Sequence, residues 1–409
     1  MKKIAIFLVF VLLLTLVACS KTTNEDPPKN NTPIVPPNNN TPIVIEKSEE
    51  EILLEKVNVI MSEMTLEEKI AQMLVIQYSG DTADDKLINE IQSVQPGGFI
   101  LFANNITTYE KTKDFVDTLQ NNSKIPMIIS VDQEGGKVQR IAELNDATYI
   151  PDMYSLGLTN DYELAYEIGA VMAKEMRTIG INTVFAPVTD ILSNKSEKVL
   201  GTRSFGSSLE LVSKMAVNVA NGLEDNGVIA TYKHFPGLGA TTVDSHESLP
   251  VVNKTLDDLK LTELIPYESA ISNNAKIIMV GHIALPNVTG DKTPASLSKV
   301  IVTDVLRGQL GFDGLIITDA LNMGALTKNY SNKNIYLKAV EGGCDLLLMP
   351  ENSAEAVDLI KNYVSEERIN ESVKRILIFK LKYLEDYEML DASYLGCEEH
   401  KNIVDKVYK

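Results

Sequence analysis

The 409-residue sequence is poor in cysteine, with three in all and no two in Cys-x-x-Cys spacing. That excludes a dithiol redox motif and a thiolate zinc site. Positive charge is also scarce: Lys and Arg number 38 against 56 Asp and Glu, and no basic cluster interrupts the acidic balance. A phosphate backbone would be repelled, so nucleic acid is not an expected partner. No apolar run reaches the roughly 20 residues that a bilayer-spanning helix needs. What the chain does have is 44% hydrophobic content, enough for one large α/β barrel or for two to three smaller domains.

The N-terminus has a pattern of its own. Lys2 and Lys3 precede an apolar run from Ile4 to Val17, and Ala18, Cys19 and Ser20 follow. This reads as a secretory signal, with a retained membrane helix as the weaker alternative. The segment Leu16-Val17-Ala18-Cys19 resembles the lipobox of bacterial lipoproteins. The resemblance implies a leader over residues 1–18 and a lipid on Cys19, placing the protein outside the cytoplasm on the membrane, facing the cell wall. A plain signal or uncleaved anchor is the alternative. Residues 19–48 hold an imperfect repeat, Pro-Pro-Lys-Asn-Asn-Thr-Pro-Ile-Val then Pro-Pro-Asn-Asn-Asn-Thr-Pro-Ile-Val. Such a segment cannot bury enough apolar surface to fold and, at about 3.1 Å per residue, reaches several tens of ångströms. Of the two remaining cysteines, Cys344 lies in the apolar run Gly-Cys-Asp-Leu-Leu-Leu-Met and reads as a buried free thiol. A disulfide with Cys397 stays open.

The folded part is expected over residues 49–395, with 396–409 as a C-terminal tail. Thr65-Leu66-Glu67-Glu68 reads as a capping box opening a helix. Thereafter short apolar, β-branched runs recur at 73–77, 98–102, 127–131, 183–188, 228–232, 277–280, 315–318 and 345–349, each followed by an amphipathic stretch. Eight such strands predict a closed (β/α)8 TIM barrel in a single catalytic domain, with a doubly wound open sheet as the alternative. The barrel is favoured because Asp132, Asp190, Lys233, His234, His282 and Asp319 all fall at or just past the carboxyl ends of strands, where a barrel builds its active site. Residues 351–409 suffice for two or three closing helices and not for another sizeable domain.

Three stretches carry candidate chemistry. Lys233-His234-Phe235-Pro236-Gly237 leads into a loop with Asp244-Ser245-His246. An aspartate two residues before a histidine can hold one imidazole nitrogen and leave the other for proton transfer; a capping Asp beside a surface His fits the spacing as well. Leu315-Ile316-Ile317-Thr318 ends on Asp319, either a reactive carboxylate or the N-cap of the next helix. Asp132-Gln133-Glu134-Gly135-Gly136 is followed by Arg140, and Asp132 with Arg140 could grip sugar hydroxyls or form a structural ion pair.

Together these stretches resemble glycoside hydrolase family 3, in particular its β-N-acetylglucosaminidase branch, from about Glu55 through Asn352. The resemblance implies a retaining exo-glycosidase that releases N-acetylglucosamine from cell-wall glycans through a covalent glycosyl-aspartate. Asp319 falls on the nucleophile, His246 on the acid/base and Asp244 on its orienting partner. Sugar contacts fall on Asp132, Arg140, Arg203, Lys233 and His234. No cofactor or metal is implied, and a monomer is expected. Many members carry His and Asp where this chain has Leu238 and Ala240, which points to altered loop conformation or substrate preference. Within the family, β-glucosidase specificity and phosphorolysis are the alternatives. Outside it stand a metal-dependent hydrolase using His234, His246, His282, Asp132 and Asp319, and a sugar-binding lipoprotein without catalysis. The first of these usually carries a His-x-His pair after strand one, and 73–79 holds no histidine.

Overall fold

The computed structural model describes residues 47–409 apart from 145, 194–198 and 242; the leader, Cys19 and the linker lie outside the described residues. The first helix, Glu49–Glu63, starts at a capping box between Ser48 and Glu51. Thr65 and Glu68 form the second box, their side chains reciprocally accepting backbone N–H bonds at the start of Leu66–Ala71. Each box satisfies amide donors that the first turn of a helix leaves without partners.

Eight strands follow: β1 (Leu74–Ile76), β2 (Gly98–Leu101), β3 (Ile128–Val131), β4 (Thr183–Val184), β5 (Ile229–Phe235), β6 (Ile277–Val280), β7 (Leu315–Thr318) and β8 (Leu347–Leu348). They form one sheet in the order β7-β6-β5-β4-β3-β2-β1-β8, every neighbouring pair parallel. A parallel bridge between Ile317 and Leu346 brings the two ends together and closes the barrel. Sequential parallel strands need helical crossovers, which cover the outer face, so the strands are buried on both sides and read as continuous apolar runs. β4 is shorter than its apolar run, which includes Pro187, a residue with no N–H for a ladder. Val188 then rejoins the sheet through an isolated bridge to Lys233.

One feature of β5 prepares the site. Tyr232 is paired with Ile278 and Phe235 with Val280, so β5 takes three steps where β6 takes two. The extra residue is a bulge, and bulges re-aim side chains that strict alternation would send to opposite faces. Consecutive Lys233 and His234 consequently line the same cavity.

The apolar side chains of the barrel and its helices form one continuous core, each fully buried Leu, Ile, Val or Phe contributing roughly 1.5–3 kcal/mol. Cys344 and Cys397 are both free, and Cys344 is buried. The stretch expected as a tail instead includes a helix, Glu398–Val404. His400 is fully buried there, with its Nδ1 2.9 Å from Glu175, which also accepts from the Gly396 N–H. This short charged helix looks like a tail in sequence because its two buried residues, His400 and Val404, leave little periodicity.

Candidate active site

The cavity at the carboxyl ends of the strands encloses about 260 Å³, and Asp132, Glu134, Arg140, Arg203, Lys233, His234, His246 and Asp319 line it. Asp319 emerges directly from β7. Its N–H donates to the Val280 carbonyl at 2.9 Å and its Oδ1 accepts from the Ala320 N–H at 2.8 Å. The next helix, Gly324–Thr327, starts at Met323 without a side-chain cap, so Asp319 does not serve as its N-cap. Burial by itself pushes the Asp319 carboxyl upward. The imidazoles of His234 and His282, the Ala320 N–H and the Lys233 ammonium outweigh it and hold the group below the ordinary carboxylate range.

The floor of the cavity is a chain of charges. Lys233 Nζ donates to Asp132 at 2.7 Å and pairs with Glu134 at 2.6 Å, while Arg203 grips Glu134 through two bonds of 2.7 and 2.8 Å. Glu134 is 1% exposed. Burial would raise its carboxyl, but Lys233 and Arg203 pull it down to about 2. The bidentate fork fixes the Arg203 guanidinium in plane as well as in position. The pairing of Asp132 is thus with Lys233, and among the described residues no carboxylate pairs with Arg140. Arg140 is placed through its backbone, its N–H donating to the Gln133 side chain at 2.9 Å. The intervening turn requires glycine: φ is +95° at Gly135 and +57° at Gly136, and a Cβ on Gly135 would lie 2.2 Å from the Pro151 carbonyl oxygen.

His234 Nδ1 lies 2.8 Å from Asp190, which also accepts from the His234 and Leu238 N–H groups at 3.1 and 2.6 Å. The carboxylate selects the Nδ1–H tautomer and leaves Nε2 free. His282 has no free nitrogen: Nδ1 meets Ser296 Oγ at 2.7 Å and Nε2 the Ala320 carbonyl at 2.9 Å. Burial lowers its pKa, and the ring is a strut beneath the segment after Asp319. It does not join His234 and His246 in a ligand set, and among the described residues no three His, Cys, Asp or Glu side chains are grouped to hold a metal.

Asp244 and His246 stand on the loop after β5. Asp244 Oδ1 accepts from the His246 N–H at 2.9 Å and lies 2.7 Å from Nδ1. Asp244 therefore both caps the turn and orients the ring. Partial burial would raise its carboxyl, but the His246 backbone and ring hydrogen bonds hold it below the usual range. The His246 side chain is 70% exposed.

Sequence reasoning assigned no role to Glu134 or Asp190. Both are buried acids next to basic residues, and Glu134 stands in the quoted Asp-Gln-Glu-Gly-Gly motif. The usable signal was a carboxylate in an otherwise apolar and glycine-rich strand end, which stays buried only if paired. Leu238 is buried against the cavity; Ala240 does not line it.

Among known proteins, the chain matches the glycosyl hydrolase family 3 N-terminal domain over residues 65–379. A β-hexosaminidase of Nitrosospira multiformis is 34% identical over 294 residues, which cover 70% of this chain and 82% of that protein. β-Hexosaminidase A of Pseudoalteromonas piscicida is 29% identical over 391 residues, and the chain spans 65% of its length. A solved family 3 β-N-acetylglucosaminidase from Paenibacillus superposes with a TM-score of 0.78 at 34% identity, covering 84% of this chain and 68% of that one. A β-glucoside phosphorylase superposes with a TM-score of 0.79 at 26% identity, covering 88% and 67%. With a closed barrel, an ionised aspartate at the end of β7 and a match through 379, the chain belongs to glycosyl hydrolase family 3.

Proposed function

We propose that the protein is a retaining exo-β-N-acetylglucosaminidase acting in two steps. Asp319 attacks the anomeric carbon and forms a glycosyl ester, while His246 delivers its proton to the departing glycosidic oxygen. Neutral His246 then takes a proton from water, the water oxygen bonds to the anomeric carbon, and the Asp319 carboxylate leaves with its electron pair. Asp244 keeps the imidazole in one orientation through both steps. Lys233, Asp132, Arg203 and His234 present donors and acceptors to the sugar hydroxyls.

The observation that carries this reading is a single cavity lined by a carboxylate held ionised at Asp319 and an imidazole oriented by Asp244. The names of the relatives support N-acetylglucosamine as the sugar. Purified protein should cleave an aryl N-acetyl-β-glucosaminide far faster than the matching glucoside, and a slow fluorinated analogue should label Asp319. Label on another residue, or inversion at the anomeric carbon, removes Asp319 from the role. Product analysis with and without phosphate separates hydrolysis from phosphorolysis, the activity named for one solved relative.

The signal and lipobox support a lipid anchor at Cys19, and the Pro- and Asn-rich linker supports reach into the cell wall, where peptidoglycan-derived glycans would be the substrate.

A further inference from the structure

The loop that carries His246 has few attachments. Within 243–249, the bonds at Asp244 are local: the His246, Glu247 and Ser248 N–H groups all return to Asp244. The ring of His246 has its hydrogen bond with Asp244 on the same loop. Apart from the Val243 N–H, which donates to Thr241 Oγ1 just before it in the chain, three bonds join this stretch to the rest of the protein among the described residues. Gly324 N–H donates to the His246 carbonyl at 3.2 Å, Ala325 N–H to the Ser245 carbonyl at 3.0 Å, and Lys328 Nζ to the Glu247 carbonyl at 2.6 Å.

All three donors belong to the helix Gly324–Thr327 and its C-cap, five residues beyond Asp319. The connecting segment is itself fixed, since Leu321 N–H donates to the Leu348 carbonyl and His282 holds the Ala320 carbonyl. One rigid stretch therefore bears Asp319 at one end and grips the His246 loop at the other. The grip needs glycine: a Cβ at 324 would lie 2.5 Å from the His246 carbonyl oxygen and 3.1 Å from that of Glu247. Both obstacles are backbone, so the loop would have to move.

We propose that Gly324, assisted by Lys328, is a positioning residue that sets His246 relative to Asp319. The inference rests on the acid/base assignment of His246 above. Gly324→Ala should displace the loop while leaving Asp319 and the sugar-binding floor in place. An activated dinitrophenyl glycoside, whose leaving group needs no proton, should form the glycosyl-enzyme within about threefold of the wild-type rate. A disaccharide should be cleaved about 10- to 100-fold more slowly, part of the roughly 10²–10⁴-fold supplied by a positioned acid. Lys328→Met should give a smaller loss of the same kind and keeps the test alive if Gly324→Ala folds poorly. In a His246→Ala background, Gly324→Ala should add nothing further to the disaccharide loss.

Two kinetic results overturn the proposal: equal slowing of both substrates by Gly324→Ala, or its full loss repeated on top of His246→Ala. Amide exchange across 242–249 is read in parallel, with faster exchange expected in Gly324→Ala. If exchange rises while His246→Ala itself shows no leaving-group dependence, the acid/base assignment has failed and the grip on the loop stands. Unchanged exchange refutes the grip directly.

Discussion

Replacing Glu134 with glutamine keeps the shape of the side chain and removes its charge where Lys233 and Arg203 converge. A carboxyl held at about 2 rather than 4.5 favours its charged form by about 3 kcal/mol, at roughly 1.36 kcal/mol per pH unit. That agrees with the roughly 3–5 kcal/mol lost when one partner of a buried pair is removed. Because the folded carboxyl titrates below the unfolded one, the stabilisation is complete above about pH 4.5 and fades as the pH falls toward about 2. Urea unfolding followed by circular dichroism should show Glu134→Gln less stable than wild type by about 3 kcal/mol at pH 7, with the gap narrowing to less than about half by pH 3. Arg203 would lose its bidentate anchor, so kcat/KM on an aryl N-acetylglucosaminide should fall about tenfold or more, the equivalent of roughly 1.4 kcal/mol of transition-state binding. A gap below about 1 kcal/mol, a level typical of exposed pairs, or a gap that stays constant with pH would refute the reasoning.

Further outcomes follow from other residues. His246→Ala should give a burst and slow turnover with an acidic phenol leaving group, fall by about 10²–10⁴-fold on sugar leaving groups, and be rescued by azide as a β-glycosyl azide. Equal slowing on good and poor leaving groups without rescue would make His246 a structural residue. Lys380 is fully buried with Gln72 as its hydrogen-bond partner at 2.7 Å, and burial pushes its ammonium down to about 7. Lys380→Met loses that bond, worth about 1 kcal/mol, yet should be the more stable protein at pH 6. Its advantage should shrink as the pH rises through 7 toward 10.5, since wild type gains stability wherever only the unfolded lysine binds its proton; a pH-independent difference would count against the buried charge. Cys19→Ala should move the protein from the membrane fraction to the soluble one, and wild-type protein free of lipid by mass spectrometry would end the lipoprotein reading.

The barrel was legible in the sequence because each strand of a parallel sheet is apolar on both faces and each is followed by a helix. Eight repeats of that pattern name the architecture, and the polar residues at the ends of five of the runs, from Asp132 to Asp319, name the active face. Asp319 stood out at the end of a strand and Asp244 with His246 by a spacing of two residues, and the family resemblance proposed a role for each. What stayed hidden depended on partners distant in the chain. Glu134 meets Arg203 across 69 residues, Asp190 meets His234 across 44 and Glu175 meets His400 across 225. No local periodicity records these pairs, because a buried charge is tolerated for what the fold brings to it rather than for its neighbours in sequence. The same holds for Gly324: without a positive φ it looks like any small residue in a short helix. Only the His246 carbonyl, 2.5 Å from where a Cβ would stand, shows why no side chain fits.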